Sequence, residues 1–277
     1  MATLASEMTT VEHTGVRKFG PDMTENEACQ QALERAKQNA LVARYGEQRG
    51  SSTVLACDSA LQRTTGNDCE IYETTWSLIG TNGFIRDTTV IDQEIRDVRG
   101  ARECRMQVRV NIQDFYGEPD PAFESKISLH RKLTDRASAR IGRYSPEPTI
   151  NFKPGELAVV QISSSQKAHH YVFFWAPDVQ TSSYQLLYPN DYDRQKEPTS
   201  QLTIPTTNAS TEWDIEIQLE STIQYSHEYL MVVSTKDPIA QPPLAISEQG
   251  FYQWLSKQPR NEWTLAKYSY RVIGDIL

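Results

Sequence analysis

Apolar and polar residues alternate most regularly in the run CRMQVRVNI, residues 104–112. Every second position of this run is apolar, which is the period of a strand that buries one of its faces. β-branched and aromatic residues are also frequent in three other stretches, and these predict further strands at residues 9–20, 70–81 and 83–95. The first part of the chain therefore predicts a small antiparallel sheet.

A long helix is predicted between the first two of these strands. Thr24 and Glu27 have the spacing of a capping box, in which each side chain satisfies a backbone N–H group of the other residue. The helical stretch runs to about Arg49, and Gly50 is suited to end it. Small residues at steps of three or four let a helix lie close to a sheet, and here they are Ala28, Ala32, Ala36, Ala40 and Ala43. Residues 9–113 thus predict an α+β domain with the helix packed on the sheet.

A second domain is predicted after a linker at residues 114–124. The linker, DFYGEPDPAFE, contains two prolines, a glycine and four acidic residues. From residue 125 to residue 277, short apolar runs are divided by Pro, Asn, Asp and Ser, with one such turn predicted at Ser163–Ser165. This spacing predicts a mostly-β, sandwich-like domain. A single helix is expected near its end, at residues 247–257, SEQGFYQWLSK.

Charge and hydropathy exclude two classes of protein. The 277 residues carry a formal net charge of −8, whereas a nucleic-acid-binding protein presents a basic surface. The mean hydropathy is −0.57, and no stretch approaches the ~20 consecutive apolar residues of a membrane-spanning helix. We therefore expect no nucleic-acid partner and no membrane span in this chain.

All four cysteines fall within the first 104 residues. An even number confined to one domain favours disulfides and an oxidising compartment, although reduced cysteines in a cytosolic protein are the alternative. Of the three pairings that four cysteines allow, we favour Cys57–Cys69, which closes a short polar excursion, together with Cys29–Cys104, which ties the helix to a strand. The spacing does not match a zinc site.

The start of the chain does not resemble an export signal. Residues 1–10, MATLASEMTT, have neither a basic start nor an apolar run of the length that a signal peptide needs. If the protein is exported, we expect this chain to be the mature form with an added initiator Met.

Three clusters of residues in the second domain are candidate functional sites. His169 and His170 are adjacent, so on a strand they point to opposite faces, and no partner nucleophile is fixed by their spacing. The run PNDYDR supplies oxygen ligands at alternate positions, as calcium sites do, although a turn explains it equally well. Aromatic residues beside this run favour an exposed contact surface, with the candidate residues Tyr188, Asn190, Asp191 and Tyr192. We expect no catalytic residue, no metal ligand and no cofactor.

Residues 14–112 resemble the N-terminal domain of the flagellar H-ring protein and the related lipoprotein-20-type envelope domain. The resemblance is carried by Thr14-Gly15, by the Ala-rich helix that starts ENEACQQALERAK, and by the runs GFIRDTTVIDQEI and CRMQVRVNI. It implies a helix packed on a small sheet and a place in the bacterial periplasm or outer membrane.

Residues from about 120 to 277 resemble a β-rich domain of unknown function that occurs in bacterial envelope proteins and beside caspase-like peptidases. The matching runs include NFKPGELAVVQI, HHYVFFW, YQLLYPNDYD and EYLMVVSTKDP. Neither resemblance brings a catalytic residue with it, so both imply a location and a role rather than a reaction.

The sequence therefore favours a non-enzymatic scaffold protein of a bacterial envelope assembly, such as a flagellar motor, a secretion system or a surface appendage. Its partners would be other proteins of the assembly, and self-association is included. A first alternative is a polysaccharide- or peptidoglycan-binding module that uses Tyr188 and Tyr192. A second is a hydrolase or a peptidase-associated regulator that uses His169 or His170.

Overall fold

A computed structural model describes most of the chain, namely residues 8–21, 23–45, 82–98, 100–133, 144–176, 183–194, 197–207, 209–220 and 224–274. The chain forms two compact units with their boundary between Tyr116 and Gly117, inside the predicted linker. Gly117 has φ +84°, a left-handed conformation that glycine adopts without strain. The predicted fold class is confirmed: an α+β unit is followed by a mostly-β unit.

The described part of the first unit contains a three-stranded antiparallel sheet and one long helix. Strand β3 lies in the centre of the sheet, with β1 on one side and β2 on the other. The elements are β1 (Met8–Phe19), α1 (Glu25–Tyr45), β2 (Gly83–Val98) and β3 (Ala101–Asp114). The predicted strand at residues 70–81 and the predicted helix end at Arg49–Gly50 lie outside the described residues.

The capping box at the start of α1 is confirmed. The backbone N–H of Thr24 donates to the Glu27 carboxylate at 2.7 Å, and the backbone N–H of Glu27 donates to the Thr24 hydroxyl at 3.2 Å. The hydrogen bonds from Thr24 lower the pKa of Glu27, because they favour the ionised carboxylate. These local contacts satisfy backbone donors that the first turn of a helix leaves without intrahelical partners.

The helix lies against β1 and β3 through its smallest residues. Ala28, Ala32, Ala36 and Ala40 are all fully buried, whereas Ala43 is exposed and does not belong to the packed face. Gly15 of β1 makes the close approach possible, because a Cβ atom added there would lie 1.9 Å from the backbone oxygen of Ala32. The alternating apolar residues of β3, from Cys104 to Ile112, are buried beneath the helix.

The second unit is built around one long strand whose two halves pair with different neighbours. Strand β6 pairs with β4, β8 and β9 along its first half, and with β7 and β10 along its second half. The described helices and strands of the second unit are β4 (Ser125–Arg131), β5 (Asn151–Phe152), β6 (Leu157–Trp175), β7 (Tyr184–Tyr188), β8 (Thr199–Ile204), β9 (Ile215–Glu216), β10 (Tyr225–Thr235), β11 (Ala245–Ile246), α2 (Glu248–Leu255) and β12 (Trp263–Ile273).

The predicted turn at Ser163–Ser165 is wrong, because β6 continues through it. The pairing register with β8 shifts between Ser163 and Ala168, so the strand bends there without ending. The nine strands consequently form one curled sheet. The curl encloses a core to which nearly every strand contributes, with Val160, Val232 and Val272 fully buried in it.

The opposite face of the second half of the sheet is covered by α2. Ser247 caps this helix, since its hydroxyl accepts a hydrogen bond from the backbone N–H of Gly250. The Phe251 ring lies edge-on to Phe173 of β6 at 5.0 Å and to Tyr184 of β7 at 4.8 Å. Because both faces of the central strands are covered, β10 is buried almost continuously from Glu228 to Thr235.

Candidate functional site

The predicted contact residues lie on and beside a loop that follows β7. Asn190 shapes this loop: its side-chain oxygen accepts hydrogen bonds from the backbone N–H groups of Tyr192 (2.9 Å) and Asp193 (2.8 Å). The Asn190 amide nitrogen donates to the backbone oxygen of Leu187 at 2.9 Å. Asn190 therefore stabilises the turn, as Asn does when its side chain bonds to nearby backbone groups.

Asp193 attaches the same loop to the chain beyond β8. Its side chain is almost completely buried and accepts from the backbone N–H of Thr206 (2.7 Å), from the Thr206 hydroxyl (2.6 Å) and from the Trp213 indole N–H (3.4 Å). The side-chain oxygens of Asp193 and Asn190 already accept hydrogen bonds that stabilise the loop. The conformation of the loop is therefore explained without a bound calcium ion. Among the residues that the structure describes, no group of His, Cys, Asp and Glu is arranged to hold a metal ion.

The prediction that Tyr188 is an exposed contact residue is wrong. Only 1% of Tyr188 is accessible, because this last residue of β7 packs into the core enclosed by the curled sheet, and burial raises its pKa. Asp191 and Tyr192 are exposed at the tip of the loop, Tyr192 by 54%. Two exposed tyrosines that could stack on a sugar are therefore not present at this loop. Of the pair Tyr188 and Tyr192, only the ring of Tyr192 is exposed.

His170 is part of a buried hydrogen-bond chain. The Ser125 hydroxyl donates to the Ser234 hydroxyl (2.9 Å), which lies 2.8 Å from His170 Nδ1, while His170 Nε2 lies 2.9 Å from the backbone oxygen of Thr199. The carbonyl can only accept, so Nε2 carries the proton and Nδ1 accepts from Ser234. Burial lowers the pKa of His170. Ser234 and His170 are fully buried, so this Ser–His contact fixes the core and does not face solvent.

A second histidine makes the stability of this unit sensitive to acid. His227 of β10 lies opposite Arg271 of β12 and contacts the Tyr225 hydroxyl, 2.9 Å from Nε2. Burial and then the positive charge of Arg271 lower the pKa of His227 from 6.5 to about 4. The folded protein therefore keeps this ring neutral at pH values where the unfolded chain protonates it. The corresponding stability is present above pH ~6.5 and is lost as the pH falls towards about 4.

We expect His227→Gln to weaken this pH dependence. Between pH 7.5 and pH 5, the wild-type protein should lose about 2 kcal/mol of unfolding free energy through His227, and the variant should lose that much less. Glutamine cannot be protonated but remains polar and of similar length. Urea denaturation followed by tryptophan fluorescence measures the effect, because Trp175, Trp213, Trp254 and Trp263 all lie in the second unit. Equal losses in the two proteins would contradict the prediction.

The most exposed regular element of the first unit is β2. Helix α1 packs mainly over β1 and β3, so much of β2 remains uncovered, and residues 89–94 are exposed without interruption. Val90 lies opposite the fully buried Val108 of β3, yet 46% of Val90 is accessible. Ile91, which lies at a register shift between Val90 and Asp92, is 42% accessible. We call residues 86–98 the β2 surface.

The β2 surface combines apolar and charged side chains. Val90 and Ile91 lie among charged groups. Four acids are exposed, namely Asp87, Asp92, Glu94 and Asp97, together with Arg86 and Arg96, the last of which lies 3.8 Å from the Glu94 carboxylate. Two register shifts, at Arg86 and at Ile91, interrupt the regular ladder with β3. Such irregularities and charges on an outer strand oppose indiscriminate pairing with other sheets.

The predicted pairing of Cys29 with Cys104 is confirmed. A disulfide joins α1 to β3 across 75 residues of sequence and lies in a cluster with Ala28, Ala32 and Met106. It therefore fixes the helix on the central strand. The predicted pair Cys57–Cys69 lies outside the described residues.

Comparisons with known proteins find no relative: no family model, no curated protein and no solved structure matches the chain. The two family resemblances noted in the sequence therefore remain predictions. In the part of the chain that the structure describes, no helix is both long and apolar enough to cross a membrane.

Proposed function

We propose that this protein is a non-enzymatic structural component of a bacterial cell-envelope assembly, and that it acts by binding other proteins. The observation that carries the proposal is the β2 surface, where Val90, which pairs with the buried Val108 of β3, and its neighbour Ile91 both remain exposed. The envelope setting follows from the sequence resemblances, and a flagellar motor, a secretion system or a surface appendage would supply the partners.

A protein partner is the class of ligand that best suits the β2 surface. It follows one strand from residue 86 to residue 98, a shape that suits a protein segment, whereas a small molecule is normally held in a cleft. An extended segment or an amphipathic helix could cover Val90 and Ile91 while its basic groups face the neighbouring acids. Burying the two apolar side chains would stabilise the complex by about 1–3 kcal/mol.

Two further features support an exported scaffold rather than a cytosolic enzyme. The disulfide Cys29–Cys104 is compatible with an oxidising compartment, since disulfides rarely persist in the cytosol. Of the two histidines considered as a base, His170 is sealed within the second unit, whereas His169 is partly exposed. A periplasmic or outer-membrane location is accordingly part of the proposal.

We expect the double variant Val90→Lys/Ile91→Lys to lose its partner without losing its fold. Lysine places charge where the partner would bury apolar surface, so recovery of co-purifying envelope proteins should fall at least about tenfold. The folded state should change little, because both side chains are largely exposed. The measurement is affinity purification from the native cells after mild cross-linking, with thermal unfolding as the check of the fold.

Leu244→Lys is the matched control, since Leu244 of the second unit is 77% exposed. It should recover the same proteins as the wild type. The proposal would be contradicted if the wild-type protein were always recovered alone, or if the double variant retained its partners. It would also be contradicted if the wild-type protein bound only to cell-wall material and Tyr192→Ala abolished this binding. The last result would favour glycan binding.

A further inference from the structure

Strand β12 of the second unit carries a buried arginine whose charge has no partner in the described chain. Arg271 is only 6% exposed, and its Nε atom is buried without a hydrogen-bond partner. Of the residues that the structure describes, none forms an ion pair or a hydrogen bond with the Arg271 side chain. Arginine stays protonated in proteins, so the Arg271 side chain carries a full positive charge.

A buried charge of this kind requires compensation. An ion that is removed from water loses much of its hydration free energy, and native proteins offset this loss with an opposite charge or with hydrogen bonds. Arg260, which is 8% exposed in the same unit, shows the usual arrangement. Its Nη1 donates to the backbone oxygen of Trp263 at 2.7 Å, and its Cζ lies 4.0 Å from the centre of the Trp263 ring. Arg271 makes no such contact with a described residue.

The side chains beside Arg271 leave its charge in place. His227 of β10 and Asn151 of β5 pair with Arg271 in the strand register, so the three side chains form a row on one face of the sheet. His227 is neutral at pH 7, because burial and then the charge of Arg271 lower its pKa to about 4. The next residues of β12 on this face, Ser269 and Ile273, are uncharged. Asn151 is exposed, so the row reaches solvent at β5.

An oxyanion supplies the compensation that Arg271 needs. A guanidinium group donates two parallel hydrogen bonds to a carboxylate or a phosphate, and the side-chain amide of Asn151 can donate another. We infer that the second unit binds a small ligand through an oxyanion group, a carboxylate or a phosphate, which Arg271 holds at the row that it forms with His227 and Asn151. The inference is independent of the proposed function, because the row belongs to the second unit and the β2 surface to the first.

Titration with small anions tests this inference. The full-length protein with isotope-labelled histidines is titrated near neutral pH with inorganic phosphate and, separately, with acetate, while sodium chloride keeps the ionic strength constant. The NMR signals of the His227 ring should shift saturably with at least one of the two anions, because the ring lies beside Arg271 in the register. The signals of His130, which is buried on β4, should stay unchanged. The anion that binds more tightly identifies the oxyanion group as a phosphate or a carboxylate.

Two variants should weaken the binding, and a third is the matched control. Arg271→Met removes the charge, so the anion should bind at least about tenfold more weakly, as expected for hydrogen bonds to a charged group. Asn151→Asp keeps the test decisive if Arg271→Met does not fold, because it changes an exposed residue and places a competing carboxylate beside Arg271.

Arg194→Gln removes one positive charge from a side chain that is 74% exposed in the same unit, and it should bind the anion as the wild type does. The inference is overturned if neither anion shifts the His227 signals saturably, or if Arg271→Met and Asn151→Asp bind as tightly as the wild type. It is also overturned if Arg194→Gln weakens binding as much as Arg271→Met.

Discussion

Removal of the Cys29–Cys104 disulfide is expected to lower the unfolding free energy of the first unit by about 4.5 kcal/mol, the chain-entropy value for its loop. The loop is long, since the two residues are 75 apart in sequence. The double variant Cys29→Ala/Cys104→Ala should show this loss in chemical denaturation followed at 222 nm, where the 21-residue helix α1 is the longest of the described helices and contributes strongly to the signal. Since a domain is typically stable by only about 5–15 kcal/mol, a loss of about 4.5 kcal/mol removes between roughly a third and nearly all of the stability of the first unit.

The single variants distinguish a bond from two independent contacts. Cys29→Ala and Cys104→Ala each break the same covalent link, so each alone should lose nearly as much as the double variant, and the three losses should not add. Both sulfur atoms lie in a buried cluster, so a smaller packing loss accompanies each substitution. Strictly additive losses would show that the two cysteines are not joined.

Gly15→Ala is expected to destabilise the first unit by about 3 kcal/mol or more. The added methyl group would lie 1.9 Å from the Ala32 oxygen and 2.5 Å from the Ala36 nitrogen, both of which are backbone atoms of α1. No rotation of a side chain can relieve this contact, so the helix must move off the sheet and expose the row of buried alanines. The same denaturation experiment at 222 nm measures the loss.

Gly20→Ala is the control for Gly15→Ala. Gly20 follows the end of the same strand, and nothing lies within 4 Å of a Cβ atom placed there. Its substitution should change the unfolding free energy by no more than about 0.5 kcal/mol. If Gly15→Ala proved as stable as Gly20→Ala, then α1 would not lie against β1 as described.

The elements that the sequence predicted well are those with local causes. The alternation from Cys104 to Ile112 defined β3 because a half-buried strand imposes a two-residue period. Thr24 and Glu27 marked the start of α1 because their hydrogen bonds span only three residues. The pairing of Cys29 with Cys104 followed from placing a helix on a strand, and α2 followed from a short amphipathic run with Ser247 before it.

The features that sequence reasoning missed depend on distant partners. A polar run such as Ser163–Ser165 resembles a turn, but inside β6 it lies where one strand bends to join both halves of the sheet. Tyr188 next to Pro189 suggested an exposed loop, whereas its position at the end of β7 directs it into the core. The burial of Asp193 depends on Thr206 and Trp213, 13 and 20 residues away.

The candidate sites also differ in whether local sequence or distant contacts determine them. Asp191 and Tyr192 are exposed as predicted, because turn residues between strands usually face solvent. The β2 surface could not be found from the sequence, because it exists only where α1 does not extend over β2.

Photo-cross-linking in the native cells tests the central claim most directly. A photo-reactive amino acid is placed at Gln93, an exposed position of the β2 surface that pairs with Met106 and so lies on the same face of the sheet as Val90, which pairs with Val108. In a second strain it is placed at Lys18, an exposed position of β1. We predict a discrete adduct between position 93 and another envelope protein, with little or no adduct at position 18. Absence of an adduct at position 93, or adducts there with cytosolic proteins alone, would contradict the account.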